Sequence, residues 1–427
     1  MSKTTIHIIG LGISEKAELS SQATLALHSS NNVIGWARHR QCIEALIKPS
    51  AFIEVKKLSE LKALLIDGEN KNGDLKEKQL SVVASGDPLH YGIATWLTKN
   101  FPKDLLRFYP AVSSIQAACH RQGLAIQNVN VVSLHGRPLQ KIRTQLKRNS
   151  TLLILTDKYS PPQVLAEECI AAGFADSTIT VHEMLGYEQE VSSSYNVKQL
   201  SQLGREFDPL HVTVIETKGE GGVLPEFPGI PDHYYVTGDT PGKGMISKRE
   251  VRLLILSLMQ PANGDVVWDI GAGCGGVSVE LCYWNEKAEV YAIEHHAERL
   301  DYLQQNREKF GVVQNLHIIN GKAPQAFTDL PTPNKIFIGG SDGELENLLE
   351  QTWALLPEGG CLLASGVLDS TKLQLQNFAE SLSLKLEAYV ESVELAVKRG
   401  SVENNQFQHE IKRPVEIFKF TKGKLRE

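Results

Sequence analysis

The sequence predicts an α/β protein in two halves, each with mainly parallel sheets. Three observations carry this reading. From about residue 4 to 218, short β-branched runs alternate with helical patterns, the order that successive βα units produce. The stretch 219–244, GEGGVLPEFPGIPDHYYVTGDTPGKG, is then crowded with glycine and proline. Proline removes donors and glycine raises backbone entropy, so no regular element is expected through it. After it the alternation restarts. With 427 residues the chain exceeds one ordinary core, and it divides as 1–218, a linker over 219–244, and 245–427.

In the first half, strands are expected over 5–9, 52–55, 80–84, 130–133 and 151–155, where β-branched and apolar residues cluster. Helices are expected over 19–27, 37–47, 91–99, 113–122 and 161–172, where apolar residues recur three and four apart. The polar segment 67–79, DGENKNGDLKEKQ, has no apolar face and reads as an exposed loop. In the second half the expected order is helix 247–259, strand 266–270, helix 276–283, strand 289–294 and helix 297–310. Strands 316–319 and 335–338, helix 344–355 and strand 360–365 complete it.

Composition narrows the function. With 42% hydrophobic, 22% charged and 7% aromatic residues, the chain is neither disordered, collagen-like nor a coiled coil. A net charge of -6 argues against a nucleic-acid partner, because coating phosphates needs a basic stripe. The six cysteines (Cys42, Cys119, Cys169, Cys274, Cys282, Cys361) form no C-x-x-C pair. Neither a disulfide framework nor a metal site is expected, and reduced thiols suit a cytoplasmic protein. The N-terminus lacks the long apolar core of a signal peptide, and the most apolar run, 253–259, is too short to span a bilayer. No membrane partner is expected.

The sharpest motif is VVWDIGAGCGGV (266–277). An apolar strand ends at Asp269, Gly271, Gly273 and Gly275 make a tight turn, and a helix begins near Gly276. Such a turn lets backbone approach a ligand, and the helix start offers free N–H groups. About 20 residues on, EVYAIE ends in Glu294, placed to accept hydrogen bonds from ribose hydroxyls. Gly271, Gly273 and Gly276 also satisfy G-x-G-x-x-G, so a nicotinamide cofactor and a ligand-free turn stand beside S-adenosylmethionine (SAM). Asp269, two before the first glycine, and GKAP (321–324) after the third strand favour SAM. FIGGSDG (337–343) carries no Asn/Asp-Pro-Pro-aromatic amine clamp, which weighs against DNA or protein amides and leaves room for a bulky substrate.

Three pieces in the first half read blandly alone, as a turn, a cap and a solvated loop. ASGDPLHYG (84–92) puts Gly86, Asp87 and Gly92 at a strand's C-terminal end, where open sheets bind ligands. YPAVSS (109–114) opens a helix with Ser113 and Ser114, which can cap it or bond a ligand. SLHGRP (133–138) presents His135 and Arg137 beside a glycine.

Together these pieces are specific. With LTD (155–157) and EMLGYE (183–188), they make the first half similar to the tetrapyrrole methylase family, closest to the branch that methylates late corrin precursors. The second half resembles the decarboxylating corrin methyltransferases through SKREVR (247–252), VVWDIGAG and FIGGS. The resemblance spans nearly the whole chain. There are departures: GLGIS (10–14) where the family carries Gly-h-Gly-Pro-Gly, Ala111 where glycine is usual, and Cys274 where Ser or Thr is commoner. Cys274 reads as a small packing residue.

The resemblance implies a tetrapyrrole methylase fold of two α/β subdomains, followed by a Rossmann-like class I SAM methyltransferase domain. It implies methylation of a late precorrin at C5 and C15 with loss of the C12 acetate carboxyl, precorrin-6B to precorrin-8X, in cobalamin biosynthesis. Two SAM molecules per chain are expected. The second half would hold one through Ser247, Asp269, Gly271, Gly273, Gly275, Glu294 and Ala323, and the first half another through Gly10, Gly86, Asp87, Gly92, Ser113 and Ser114. The substrate is a polycarboxylate, so His135, Arg137, Lys243, Lys248 and Arg249 are the candidates to line its cleft. A homo-oligomer is expected by resemblance alone. The other readings are a SAM-dependent tRNA or rRNA methyltransferase, and a SAM-binding scaffold with one inactive domain.

Overall fold

The computed structural model describes residues 4–66, 79–385 and 387–423. The chain forms two compact units, Met1–Arg137 with Arg148–Glu220, and Pro138–Lys147 with Gly221–Glu427. Among the described residues, no helix is long and apolar enough to cross a membrane.

The first unit opens with β1 (Thr5–Gly10), α1 (Ser21–Ser29), β2 (Asn32–Gly35), α2 (Ala37–Ile43), β3 (Phe52–Glu54), α3 (Leu58–Ile66), β4 (Gln79–Ala84), α4 (Ala94–Asn100) and β5 (Leu106–Tyr109). These make a wholly parallel sheet in the order β3-β2-β4-β1-β5. Its middle strands are apolar on both faces, with Ile6, Ile8, Ile9, Leu80, Val82 and Val83 buried, as a helix-covered parallel strand requires. The winding direction reverses around β1 and β4, so their C-terminal ends form the crevice where such sheets bind ligands. The loop expected over 67–79 lies outside the described residues, except for Gln79, which starts β4.

The same unit continues through α5 (Ser114–Gln122), β6 (Asn130–Ser133), β7 (Thr151–Leu155), α6 (Pro162–Ala171), β8 (Thr178–Glu183), β9 (Val191–Asn196), α7 (Val197–Leu200) and β10 (His211–Glu216). Their sheet runs β6-β7-β10-β8-β9. Only β6 and β7 are parallel; the other neighbours are antiparallel. This corrects the expectation of mainly parallel sheets. The turn between β8 and β9 is short enough for a hairpin, and alternation of patterns does not specify strand direction. Strands β2, β5, β8, β9 and β10 were not expected individually. β9, VSSSYN, has no apolar run and is held by its pairing to β8.

The second unit holds α8 (Arg249–Met259), β11 (Val266–Ile270), α9 (Gly276–Trp284), β12 (Glu289–Glu294), α10 (Ala297–Lys309), β13 (Leu316–Asn320), β14 (Lys335–Ile338), α11 (Leu345–Leu355) and β15 (Cys361–Gly366). Every one of these was expected, to within a few residues. Beyond them come α12 (Asp369–Leu384), β16 (Ala388–Leu395), β17 (Lys398–Glu403), β18 (Gln406–Ile411) and β19 (Val415–Lys422), which were not. The sheet order is β13-β12-β11-β14-β15-β19-β16, with β19 antiparallel to both neighbours, while β17 and β18 form a separate ribbon.

The Gly/Pro-rich stretch is a packed strap from Gly221 onward. Ile230 and Tyr235 are fully buried. The backbone N–H groups of Gly229 and Ile230 each donate to Glu280 at 3.0 Å. Asn306 on α10 bonds both the N–H and the carbonyl of Val236 at 2.8 Å, and also reaches the Cys274 carbonyl at 2.9 Å. A segment too rich in proline and glycine for ladder bonding thus satisfies its backbone through buried side chains.

Candidate functional sites

A cavity of about 620 Å³ opens in the first unit. Of the predicted residues, Gly86, Asp87, Gly92, Ser113, Ser114, His135 and Arg137 line it. The Asp87 carboxylate organises one wall. Its Oδ1 accepts the N–H of Leu89 at 2.8 Å and of His90 at 3.2 Å, and its Oδ2 accepts the N–H of Ala111 at 3.2 Å. Asp87 therefore ties the loop after β4 to the turn that opens α5. Ser113 caps that helix by accepting the Gln116 N–H at 3.2 Å, and His90 Nδ1 lies 3.0 Å from its hydroxyl. Asp157 accepts the Gly136 N–H at 2.8 Å, which fixes the loop carrying His135 and Arg137.

Gly10 does not line this cavity. A Cβ there would stand 2.7 Å from the Gly86 carbonyl oxygen, so its glycine serves loop packing. The unusual 10–14 loop nevertheless reaches the site. Gly12, at φ +74°, bridges to Gly86, whose N–H donates to the Gly12 carbonyl at 2.8 Å. The cavity also gathers residues that sequence reasoning missed, among them Arg38, Ser85, His182, Tyr187 and His211. His182 and His211 sit on β8 and β10, strands that had not been recognised. Burial holds the His182 imidazole below its ordinary range.

Replacing Asp87 with alanine removes the acceptor of three N–H groups. We expect Asp87→Ala to loosen the wall and lower the turnover this cavity supports by about 2 kcal/mol or more in transition-state stabilisation, measured as a rate against the wild-type chain. An unchanged rate would reduce Asp87 to a turn residue.

In the second unit a small recess of about 20 Å³ lies between the ends of β11, β12 and β14. It brings together Gly271, Glu294 and Ala323 of the seven predicted residues, and adds His295, Lys322, Gly340, Ser341 and Asp342. Glu294, at the end of β12, accepts the N–H of Gly273 at 3.0 Å, of His295 at 2.8 Å and of His296 at 2.9 Å. Its carboxylate thus shapes the glycine turn as well as facing the recess. Glu294, His295 and His296 also form one cluster of potential metal-ligand atoms, within 4.8 Å of one another.

The other four predicted residues are not part of the recess. Asp269 is buried and accepts the hydroxyl of Ser278; burial pushes its carboxyl up to about 6. A Cβ on Gly273 would stand 2.6 Å from the Met245 carbonyl oxygen, and one on Gly275 would run into the Leu303 side chain. These two glycines thus make room for the chain just past the strap and for α10 instead of lining the recess. The Ser247 carbonyl accepts a hydrogen bond from the Arg252 guanidinium. Cys274 is buried, and burial raises its thiol to about 11, as a packing residue should be.

Nor do Lys243, Lys248 and Arg249 reach the recess. Lys243 is exposed. Lys248 Nζ donates to the Gly242 carbonyl at 2.7 Å, and burial lowers its pKa. The Arg249 guanidinium lies 3.4 Å from Glu250.

Residues 5–201 match the family described as Tetrapyrrole (Corrin/Porphyrin) Methylases, and residues 241–416 the Precorrin methyltransferase domain. These matches define a tandem of two methyltransferase domains. A precorrin-6Y C(5,15)-methyltransferase [decarboxylating] of Sinorhizobium sp is 33% identical over 369 residues, covering 85% of this chain and 84% of that one. A protein of the same name from Mycobacterium tuberculosis (strain CDC 1551 / Oshkosh) is 28% identical over 366 residues, 85% of this chain and 87% of its own. A probable cobalt-precorrin-6B C(15)-methyltransferase (decarboxylating) of Methanothermobacter thermautotrophicus is 31% identical over 172 residues, 40% of this chain and 85% of its own. The chain belongs to the precorrin-6Y C(5,15)-methyltransferase (decarboxylating) family.

Proposed function

We propose that this chain methylates a late precorrin at C5 and C15 and releases the C12 acetate carboxyl as CO2, using two SAM molecules per chain. The observation that carries this is the pairing of two separate strand-end sites in one chain of this family. The second unit is assigned C15 methylation and decarboxylation, and the first unit C5 methylation. The short relative whose name carries only C15 methylation and decarboxylation supports that division.

The residues present fit SAM. In the first unit the cavity is large enough for a nucleoside-sized ligand and is walled by Gly86, Asp87, Ser113 and Ser114. In the second, Glu294 stands beside Gly271 and Ala323 at the strand ends. SAM supplies a methyl carbon already activated by its sulfonium, so alignment rather than covalent help is what each site must provide. The sulfonium charge is lost in the transition state, so a carboxylate pressed against it would hold back the reaction. Asp269, bonded to Ser278 beneath the turn, is kept out of that role, and Glu294 is left for the ribose.

Decarboxylation draws its electron sink from the conjugated macrocycle, and the protein has to desolvate the leaving carboxylate. His135 and Arg137 are assigned to precorrin carboxylates in the first unit. The substrate is a small molecule, with no nucleic acid involved, and the protein is assigned to the cytoplasm as a homo-oligomer.

The mass spectrum of the product from precorrin-6B and SAM tests the reading. Gain of two methyl groups with loss of CO2 is expected, together with a titration stoichiometry near two SAM per chain. A stoichiometry near one, with active protein, would mean that one of the two pockets takes no SAM.

A further inference from the structure

Behind the first unit's cavity lies a serine–histidine pair that the reaction above does not use. His39, near the start of α2, is 3% exposed. Its Nε2 stands 2.9 Å from the Oγ of Ser85, which lines the cavity. Such a distance suits a nucleophile and its base. The tautomer excludes that use. His39 Nδ1 accepts the backbone N–H of Trp36 at 3.3 Å, so in the neutral ring the proton sits on Nε2. The ring is neutral because burial first, and the Arg38 charge second, push its pKa down to about 4.

The single ring N–H, on Nε2, is shared between Ser85 Oγ and the Val83 backbone carbonyl, and the serine cannot return its own hydrogen to the ring. Among the described residues no acceptor for that hydroxyl hydrogen is found, so it is free to point into the cavity. Arg38 lines the same cavity. Its guanidinium makes no ion pair or side-chain hydrogen bond among the described residues. A hydroxyl donor and an unpartnered guanidinium lining one cavity are chemistry for an anion with acceptor oxygens.

We propose that Arg38 and Ser85, the latter oriented by His39, form a subsite for a peripheral carboxylate of the tetrapyrrole substrate. This rests on the proposed function. Arg38 and Ser85 touch the substrate, while His39 is a positioning residue that acts through Ser85. The subsite anchors the macrocycle in the C5-methylating unit and sets which edge of the ring enters.

The test is steady-state methylation by the full chain, with precorrin-6B and SAM varied separately and C5 methylation read by product mass. Ser85→Ala is expected to raise KM for the precorrin about tenfold, the loss of one charge-assisted hydrogen bond, with kcat and the KM for SAM little changed. Arg38→Gln should raise it further. His39→Leu should match Ser85→Ala and add nothing in the double variant, whereas His39→Gln, which keeps one acceptor and one donor, should restore most of the affinity. An unchanged precorrin KM in Ser85→Ala and Arg38→Gln overturns the subsite. A rise confined to the KM for SAM also overturns it, by assigning the anion to the methionine carboxylate. If wild-type protein methylates no precorrin, the proposed function fails and the subsite falls with it.

Discussion

Gly271→Val is expected to abolish CO2 release and C15 methylation while the first unit continues to bind SAM. Gly271 follows β11 directly at φ +70°, a conformation that costs an L side chain about 1–2 kcal/mol. A Cβ there would stand 2.6 Å from the Gly340 carbonyl oxygen and 2.7 Å from its nitrogen. Both contacts are backbone, so neither neighbour can turn away. The two glycine loops that wall the recess would have to separate, and Glu294, bonded to the Gly273 N–H on the next turn, would move with them. CO2 evolution and SAM titration check this, with a melting curve to show that the unit still folds. Decarboxylation at the wild-type rate would remove the recess from consideration as the cofactor site.

Gly273 is a poorer test than its motif position suggests, because its open side meets the strap at Met245.

Arg252→Met is expected to destabilise the second unit by about 3–5 kcal/mol, the usual result of stripping one partner from a buried ion cluster. Arg252 is fully buried. Its Nε donates to Glu280 at 2.9 Å and its Nη1 to Asp232 at 2.8 Å, and its guanidinium carbon sits 4.7 Å from the centre of the Tyr235 ring. The side chain also donates to the carbonyls of Ile230 and Ser247. Burial opposes its charge, and Tyr235, Glu280 and Asp232 overcome that, so its pKa is raised.

Removing the guanidinium leaves Glu280, itself fully buried, with only the N–H groups of Gly229 and Ile230. The strap would loosen from α8 and α9, and the glycine turn it covers would lose its backing. A fall in melting temperature on the order of 10 °C is expected for a unit of this size. Arg252→Met combined with Glu280→Gln should recover part of it, since no buried charge is then left alone. A single variant that melts with wild-type protein would show the cluster to be dispensable.

The legible part of the molecule follows from how local each signal is. The strand, turn and helix over 266–284 were readable because apolar strand residues, three glycines and a helix period lie within a few turns of one another. Ser113 was readable as a cap because its partner, Gln116, is three residues away. In contrast, β8 and β10 were missed although both carry β-branched residues, and β16 through β19 lie in a region where exposed and charged residues interrupt the pattern. β16 is an antiparallel edge strand, which satisfies its backbone through its neighbour, so its own residues need not be apolar.

By itself the sequence determined the α/β class, the two halves, and the loops after β4 and β11 as strand-end loops that line recesses. Those features rest on period, on residue type and on spacings of a few residues. Only the tertiary structure decided what each loop residue faces. It turned Asp269 inward to Ser278, set Gly273 against the strap, and packed Gly10 against Gly86. It also brought His39 to Ser85 across 46 residues of chain. A glycine or an acid in a motif is chosen by whatever occupies the space beside it, and that occupant comes from a segment whose distance along the chain carries no local signal.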